Sequence, residues 1–319
     1  MKNRRWTLWL RRLGIAGLAL IVLFFAAAMA FPSLQLTQKA CTVMLRVNAE
    51  AFALTHPSRE LKFDGNGNST PKLLAQEQKG YAEQVPVLMY HYVVPKQYNK
   101  EPDNNSMINL ESFEAGMKYL HDAGYYAATL SELEDYLHGF IQLPKKSVVI
   151  TFDDGYENNY IYAYPVLKKY GLKASLFVIG SHVQKQTSTS FDPAKSSYLS
   201  QEQLDAASDV FDYYSHTYDL HKKEETFCGK KLALTHDSTK LQADIAKMKG
   251  LGYTTPYFAY PFGSYDDKMI YYLKENGYRM AFTVKQGFVQ PGDSPLELKR
   301  LTVTSSTNME QLLETGTTD

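Results

Sequence analysis

Short apolar runs alternate with amphipathic stretches from about residue 86 to the end of the chain. The apolar runs are rich in Val, Ile, Phe and Tyr, as buried strands are, and they cover 86–93, 125–129, 147–154, 174–180, 210–217, 257–263, 278–284 and 299–303. Between them, apolar spacing and stop signals predict helices over 111–122, 157–170, 238–249 and 266–277. Capping boxes are predicted at Ser131 with Glu134 and at Ser200 with Gln203. This alternation predicts an α/β fold with a parallel sheet, open or closed into a barrel, and a ligand site at the carboxyl ends of the strands.

The first 31 residues differ from this pattern. Residues 1–12 contain four arginines, and residues 13–31 are uncharged and almost wholly apolar. At 1.5 Å per residue the apolar stretch spans roughly 28 Å, about the thickness of a bilayer core. The basic flank predicts a cytoplasmic tail over 1–12, a transmembrane anchor over 13–31, and an extracellular remainder. The alternative is a signal peptide cleaved after an Ala-Met-Ala site at residue 30, which would secrete the rest of the chain.

Residues 32–84 lie between this segment and the alternating pattern. They mix short apolar stretches with a polar passage over 56–72 that is rich in Gly, Asn and Ser, a composition typical of a stalk or linker. We therefore expect an extracellular stalk over 32–84 that carries one folded domain over 85–319.

The charge balance argues against a polyanionic partner. The chain has 34 basic and 34 acidic residues, so no net field attracts nucleic acid. Its two cysteines, Cys41 and Cys228, lie far apart, and we expect neither a zinc ribbon nor a disulfide framework. The 24 tyrosines suit a surface that stacks on sugars, although tyrosine-rich cores are equally common. We expect a monomer.

Candidate chemistry begins where the apolar run 147–154 ends. Asp153 and Asp154 lie at the predicted carboxyl end of a strand, and Gly155 lets the backbone turn so that both side chains can face one cavity. Two adjacent carboxylates repel each other, which favours a bound cation. The alternative is that one of them only caps the following helix.

Two histidines can supply further ligands for such a cation. His216 and His221 are five residues apart, so their rings diverge on a regular helix or strand and converge only if the chain bends after the strand. Two imidazoles and one carboxylate leave coordination positions open, as in catalytic zinc sites. The same ligands form the facial triad of non-haem iron oxygenases, and the histidines could also be unrelated surface residues.

Three segments, "TFDDG", "SHTYDLH" and "AYPFG", together resemble the motifs of the NodB-homology polysaccharide deacetylases, carbohydrate esterase family 4. The resemblance covers about 85–303. The spacing of the two histidines, and the triplet Met89-Tyr90-His91 at the end of the first strand, resemble the circularly permuted branch related to the poly-N-acetylglucosamine deacetylases. Membership would imply a distorted (β/α)7 barrel and a hydrolase.

The resemblance also implies roles for individual residues. Asp153 matches the catalytic base. Asp154, His216 and His221 match the ligands of a divalent metal, with Zn²⁺ as the first candidate and Co²⁺, Ni²⁺ or Fe²⁺ as alternatives. Tyr260 matches the position whose backbone N–H helps to hold the oxyanion.

Three features depart from the family pattern. Ala259 stands where an arginine usually orients the base, Val303 stands where a histidine usually acts as general acid, and the fourth motif has no clear match. Because the first and last strands of a closed barrel are neighbours, His91 can reach the site, and we assign it the acid role. The alternative for His91 is a buried, hydrogen-bonded structural histidine.

The predicted reaction is metal-dependent removal of N-acetyl groups from hexosamine residues of a cell-surface or extracellular polysaccharide, either peptidoglycan or poly-N-acetylglucosamine. The residues expected to contact the sugar are Tyr156, Tyr218, Pro261 and Phe262. The alternative, based on the missing motifs, is a membrane-tethered glycan-binding module of the same fold that has lost catalysis.

Overall fold

The computed structural model describes residues 77–226, 229–232, 238–252 and 256–317, with scattered positions from 41 to 74. The predicted cytoplasmic tail over 1–12 and the apolar segment over 13–31 lie outside the described residues, as does most of the predicted stalk. Within the described part of the chain, no helix has the length and apolar character to cross a membrane. Residue contacts group the chain into two units, Met1–Ser58 with Lys223–Lys231, and Arg59–Lys222 with Leu232–Asp319.

Twelve strands and seven α-helices are described. The strands are β1 (Val87–Tyr90), β2 (Tyr92–Val94), β3 (Met107–Asn109), β4 (Tyr126–Ala127), β5 (Ser147–Phe152), β6 (Ala174–Val178), β7 (Phe211–Ser215), β8 (Lys223–Thr226), β9 (Gly229–Leu232), β10 (Tyr257–Ala259), β11 (Met280–Phe282) and β12 (Leu301–Thr302). The helices are α1 (Leu110–Asp122), α2 (Leu130–Leu137), α3 (Tyr164–Lys169), α4 (Gln201–Ala206), α5 (Ser238–Gly250), α6 (Asp267–Glu275) and α7 (Met309–Thr315).

Seven parallel strands form the barrel of the larger unit. Their order is β11-β10-β7-β6-β5-β1-β12, so each strand lies beside the next one along the chain, and β12 returns to β1. A parallel bridge between Phe282 and Leu298, just before β12, closes the ring. The short strand β4 adds to β5, while β2 pairs with β3 and β8 with β9 in separate two-stranded sheets. The predicted (β/α)7 barrel is confirmed.

Alternation along the strands divides the core into two layers. Val149 on β5, Phe177 on β6 and Phe282 on β11 belong to a cluster inside the barrel. Their neighbours Ile150 and Leu176 belong to a second cluster, which packs under the surrounding helices. Because side chains on a strand alternate between faces, the inward series on β5 continues from Val149 through Thr151 to residue 153, beyond the end of the strand.

Some predicted boundaries are corrected by the structure. The apolar run 86–93 is divided at residue 91 into β1 and β2. The predicted helix 157–170 is confirmed: the chain is helical from 157 to 169, with a π-helical turn, Asn159–Ala163, before α3. The capping box predicted at Ser131 and Glu134 is wrong, because Thr129 caps α2 and pairs with Glu132. The second capping box, at Ser200 and Gln203, is confirmed.

The expectation that the cysteines build no disulfide framework needs a qualification for Cys41. Cys41 is disulfide-bonded, and the described residues include no free cysteine. The chain has one other cysteine, Cys228, which itself lies outside the described residues.

Candidate active site

A cleft of about 910 Å³ opens at the carboxyl ends of the barrel strands. Eight of the ten predicted site residues line it, namely His91, Asp153, Asp154, Tyr156, His216, His221, Tyr260 and Phe262. The other two, Tyr218 and Pro261, are not among the lining residues. Tyr218 lies under the Lys247 ammonium, 5.3 Å from ring centroid to nitrogen, and Pro261 is buried. The strand ends therefore bring residues from distant parts of the chain to one place, as parallel barrels do.

Asp153 is held by an arginine that the sequence analysis did not identify. Both terminal guanidinium nitrogens of Arg300 donate to its carboxylate, Nη1 to Oδ1 and Nη2 to Oδ2, each at 2.7 Å. Both residues are buried. Burial opposes ionisation of Asp153, but the paired guanidinium outweighs it and lowers the pKa of this carboxyl far below its usual range. Asp153 is therefore an oriented carboxylate at neutral pH.

Arg300 can orient the base although Ala259 stands where the family usually has an arginine. It immediately precedes β12 and reaches the barrel interior, where its guanidinium lies 5.9 Å from the Phe177 ring centroid. The arginine expected two residues before Pro261 is thus replaced in space by one from another strand. The sequence signal was a single arginine within the predicted strand 299–303, and sequence spacing alone does not connect it to Asp153.

Asp154, His216 and His221 form a compact ligand set. His216 Nε2 and His221 Nε2 each lie 3.4 Å from Asp154 Oδ1, and the three ligand atoms lie within 4.8 Å of one another. Asp154 Oδ1 is buried and accepts no hydrogen bond. Ligands about 2.1 Å from a tetrahedral ion are separated by about 3.4 Å, so a divalent cation fits this set. Its nitrogen and carboxylate donors suit Zn²⁺ and its first-row neighbours.

Strained backbone aims two of these ligands. Asp154 has φ of 74° and Gly155 has φ of 77°, so the chain turns sharply after β5. A Cβ at Gly155 would lie 3.2 Å from Val178 Cγ1, which leaves little room for a larger residue. Thr217, next to His216, also adopts a positive φ, 71°. Such left-handed conformations are costly for non-glycine residues and persist where function requires them.

Hydrogen bonds to the backbone fix the histidine segment. His216 Nδ1 lies 2.8 Å from the Ala259 carbonyl oxygen and donates to it, which leaves Nε2 to face Asp154. Asp244 on α5 accepts the backbone N–H groups of Tyr218 and Asp219, at 2.7 and 2.8 Å. The bend between the two histidines is therefore held from outside by one buried carboxylate.

The charges around the ligands favour the metal-binding forms of His221 and Asp154, whereas the carboxylates of Asp154 and Asp153 outweigh burial and raise the pKa of His216. Burial and the neighbouring His216 lower the pKa of His221 to about 4, so its imidazole is neutral at pH 7. Burial opposes ionisation of Asp154, yet the surrounding histidines lower the pKa of its carboxyl. A neutral imidazole and a carboxylate are the forms that bind metal.

His91 lies beside Asp153. Its Nε2 is 3.8 Å from Asp153 Oδ2, and its Nδ1 is buried without a hydrogen-bond partner. Burial lowers the pKa of His91, although Asp153 and Asp154 act in the opposite direction. The break between β1 and β2 occurs at this residue, and it places the imidazole at the edge of the cleft.

The Tyr260 backbone N–H, to which the motif assigns the oxyanion role, already has a partner in the structure. The Tyr260 N–H donates to the Phe282 carbonyl at 3.0 Å, as part of the pairing between β10 and β11. Its hydroxyl donates to the Leu296 carbonyl at 2.9 Å. Both groups are therefore used to hold the barrel together, and Tyr260 contributes a buried wall beneath the cleft.

Comparisons with known proteins agree with this geometry. The family model for polysaccharide deacetylase matches residues 141–281. The Bacillus subtilis (strain 168) protein YxkH, which carries the name of a polysaccharide deacetylase, is 31% identical over 220 residues, 69% of this chain and 71% of its own. A poly-β-1,6-N-acetyl-D-glucosamine N-deacetylase of Staphylococcus epidermidis is 32% identical over 216 residues, 65% of this chain and 71% of its own.

A solved structure extends the similarity to the fold. IcaB from Ammonifex degensii superposes with a TM-score of 0.61 at 31% sequence identity, over 74% of this chain and 98% of the other. The chain belongs to the NodB-like polysaccharide deacetylases, a family of hydrolytic carbohydrate esterases, as its motifs predicted.

Proposed function

We propose that this protein is a divalent-metal-dependent N-deacetylase of an extracellular hexosamine polymer, with poly-N-acetylglucosamine as the first candidate substrate. The observation that carries the proposal is the buried Asp154 Oδ1 with two imidazole nitrogens, each 3.4 Å away, beside the paired Asp153 and Arg300. The names of the staphylococcal relatives support the choice of polymer. Peptidoglycan is the second candidate substrate.

Five of the predicted residues, supported by Arg300, have distinct parts in the proposed reaction. Asp154, His216 and His221 would hold the cation, which supplies a Lewis acid that lowers the pKa of water and polarises the amide carbonyl. Asp153, kept ionised by Arg300, accepts the proton of the attacking water. His91, within 3.8 Å of Asp153, donates a proton to the departing nitrogen. Water and the N-acetyl amide thereby become acetate and a free amine.

The alternative, an inactive glycan-binding module, rested on Ala259 and on the unmatched fourth motif. Arg300 supplies the arginine that is missing at position 259, so only the second argument still supports this alternative. Acetate release separates the two functions. The purified full-length chain would be assayed on oligomers of β-1,6-linked N-acetylglucosamine, chitin oligomers, peptidoglycan and acetylated xylan, with chelator and after metal is restored. We expect acetate from the first substrate, loss with chelator and recovery with Zn²⁺ or Co²⁺. Oligomer binding with no acetate from any substrate would favour the binding module.

The role of His91 has a test of its own. His91→Ala should retain the bound metal and lower turnover by roughly 10²- to 10⁴-fold, as expected for loss of a general acid. Unchanged turnover would assign the proton donor to another group.

The proposed location follows from the hydropathy of the N-terminal segment. We propose that residues 13–31 anchor the chain in the membrane, with the deacetylase domain outside the cell, where its polymer lies. Protease treatment of intact cells should digest the domain and leave the anchor in the membrane fraction. Resistance of the domain in intact cells would contradict the proposed orientation, and its release into the medium would favour the cleaved signal peptide.

A further inference from the structure

A second cavity of about 240 Å³ adjoins the catalytic cleft. The two cavities share three lining residues, Asn104, Ser106 and Tyr156. A chain-like ligand that fills the cleft can therefore continue past these residues into the second cavity. Its volume lies below the lower limit of about 300 Å³ for pockets that take a drug-sized ligand, so it suits a single ring.

Aromatic rings form much of this cavity. Tyr92, Tyr98 and Tyr156 line it, and the Tyr156 ring is fixed by an edge contact with Tyr92, with ring centroids 5.0 Å apart. Tyr98 is 40% exposed, whereas Tyr92 is buried. Tyrosine has an apolar face and a polar hydroxyl, which together match the C–H face and the hydroxyl groups of a sugar ring. Tyr98 thus offers an exposed stacking surface beside a rigid pair.

The polar groups of the cavity carry no excess charge. Lys100 and Glu101 supply one charge of each sign. The Asn104 side chain donates to Glu101 Oε2 at 2.8 Å and accepts the Ser106 N–H at 3.0 Å, so the loop is tied in one conformation. A neutral ligand with hydroxyl and amide groups fits this wall better than an anionic or cationic polymer.

We propose that this cavity is a sugar subsite, which binds a second, neutral hexosamine unit of the same polymer while the first presents its N-acetyl group to Asp153 and Asp154. This inference rests on the proposed function. In this proposal Tyr98 determines which substrate lengths the enzyme prefers, and it does not take part in the chemical step. The enzyme then acts on oligomers and polymers in preference to short fragments.

The experiment compares kcat/KM for acetate release from two-unit and five-unit oligomers. In the wild type the ratio of the longer to the shorter substrate should be well above one. Tyr98→Ala should lower that ratio about tenfold, on the scale of one lost aromatic contact. The control is Tyr81→Ala, because Tyr81 is 41% exposed and pairs with Pro144 away from both cavities. Tyr81→Ala should keep the wild-type ratio.

Two results would overturn the subsite. The first is a ratio in Tyr98→Ala equal to that of the wild type. The second is a preference of the wild type for carboxylate-bearing polymers that disappears in Lys100→Ala. Absence of acetate release from every oligomer by the wild type would instead overturn the proposed function. In that case calorimetric binding of the five-unit oligomer decides the subsite: weaker binding by Tyr98→Ala alone supports it, and equal binding by both variants contradicts it.

Discussion

The buried carboxylates at the two ends of the barrel have different kinds of partner. At the amino end, Glu134 on α2 accepts the Tyr257 hydroxyl at 2.6 Å and the Arg279 guanidinium at 2.7 Å. At the carboxyl end, Asp154 is buried to a similar degree, yet its Oδ1 accepts no hydrogen bond. Glu134 Oε1 likewise has no hydrogen bond of good geometry, but it lies 2.5 Å from Arg279 Nε, so a fixed guanidinium neutralises this carboxylate. The Asp154 carboxylate faces two imidazoles, of which His221 is neutral at pH 7, so a bound cation would offset its buried charge.

Strained backbone is also found mainly at the carboxyl end of the barrel. Among the described residues, four non-glycine residues have positive φ, and three of them, Asp154, Thr217 and Phe262, belong to the segments that carry the cleft. The fourth, Lys79, precedes the barrel. Strained backbone therefore positions candidate ligands at one end of the barrel, while the ion pair of Glu134 with Arg279 lies at the other end.

The largest effect is expected from Asp154→Ala. Removal of the shared carboxylate should abolish tight metal binding and lower turnover by at least about 10³-fold, since the cation is worth several kcal/mol of transition-state stabilisation. Metal content measured by plasma mass spectrometry and acetate release check this outcome. Full metal occupancy in the variant would contradict the ligand assignment.

Asp153→Asn should separate chemistry from metal binding. The amide keeps the shape of the carboxylate but accepts no proton, so turnover should fall by roughly 10²- to 10⁴-fold while the metal stays bound. Because Arg300 then lacks its counter-charge, the melting temperature should also fall. The measurement is metal content beside kcat. Turnover near that of the wild type would show that another group is the base.

Asp244→Asn tests the support behind the ligands. The amide retains one oxygen for the two N–H groups of Tyr218 and Asp219, so the bend that carries His221 should loosen. We expect metal affinity to fall about 10- to 100-fold, the usual effect of removing a partner behind a ligand, with the circular dichroism spectrum preserved. Asp122→Asn, which removes an exposed ion pair with Lys118, is the control and should keep the affinity of the wild type. Equal affinities in both variants would leave Asp244 with a structural role only.

Glu134→Gln should have the smallest effect on activity and the clearest effect on stability. Loss of the charge that pairs with Arg279 leaves buried groups poorly satisfied, so the free energy of unfolding should fall by about 1 to 3 kcal/mol. Turnover at 25 °C should stay within about twofold of the wild type, because the partners of Glu134, Tyr257 and Arg279, do not line the cleft. A large loss of kcat at unchanged stability would contradict the assignment of Glu134 to stability and not to the active site.

The fold and much of the site could be predicted from local sequence. Period-two alternation in "VVITFDD" places Asp153 on the inner face, and the glycine after the pair permits the turn. The cap of α2 was misplaced by two residues because Thr129 and Ser131 both carry a hydroxyl, and only packing selects between them.

Other features depend on contacts that sequence does not encode locally. Arg300 reaches Asp153 from the last strand, across the closed ring, so its role follows from barrel closure and not from any motif. The N–H of Tyr260 was assigned to the oxyanion from motif position, but pairing of β10 with β11 gives it to Phe282. In both cases the partner comes from a neighbouring strand.

The central claim is that one divalent ion binds to Asp154, His216 and His221. Anomalous diffraction at the zinc edge, from crystals of the zinc-loaded protein, tests it most directly. The predicted result is a single strong peak in the cleft, about 2.0 to 2.2 Å from one Asp154 carboxylate oxygen and from Nε2 of both histidines. A loaded crystal whose anomalous peak lies elsewhere, with those three side chains placed as they are now, would contradict it.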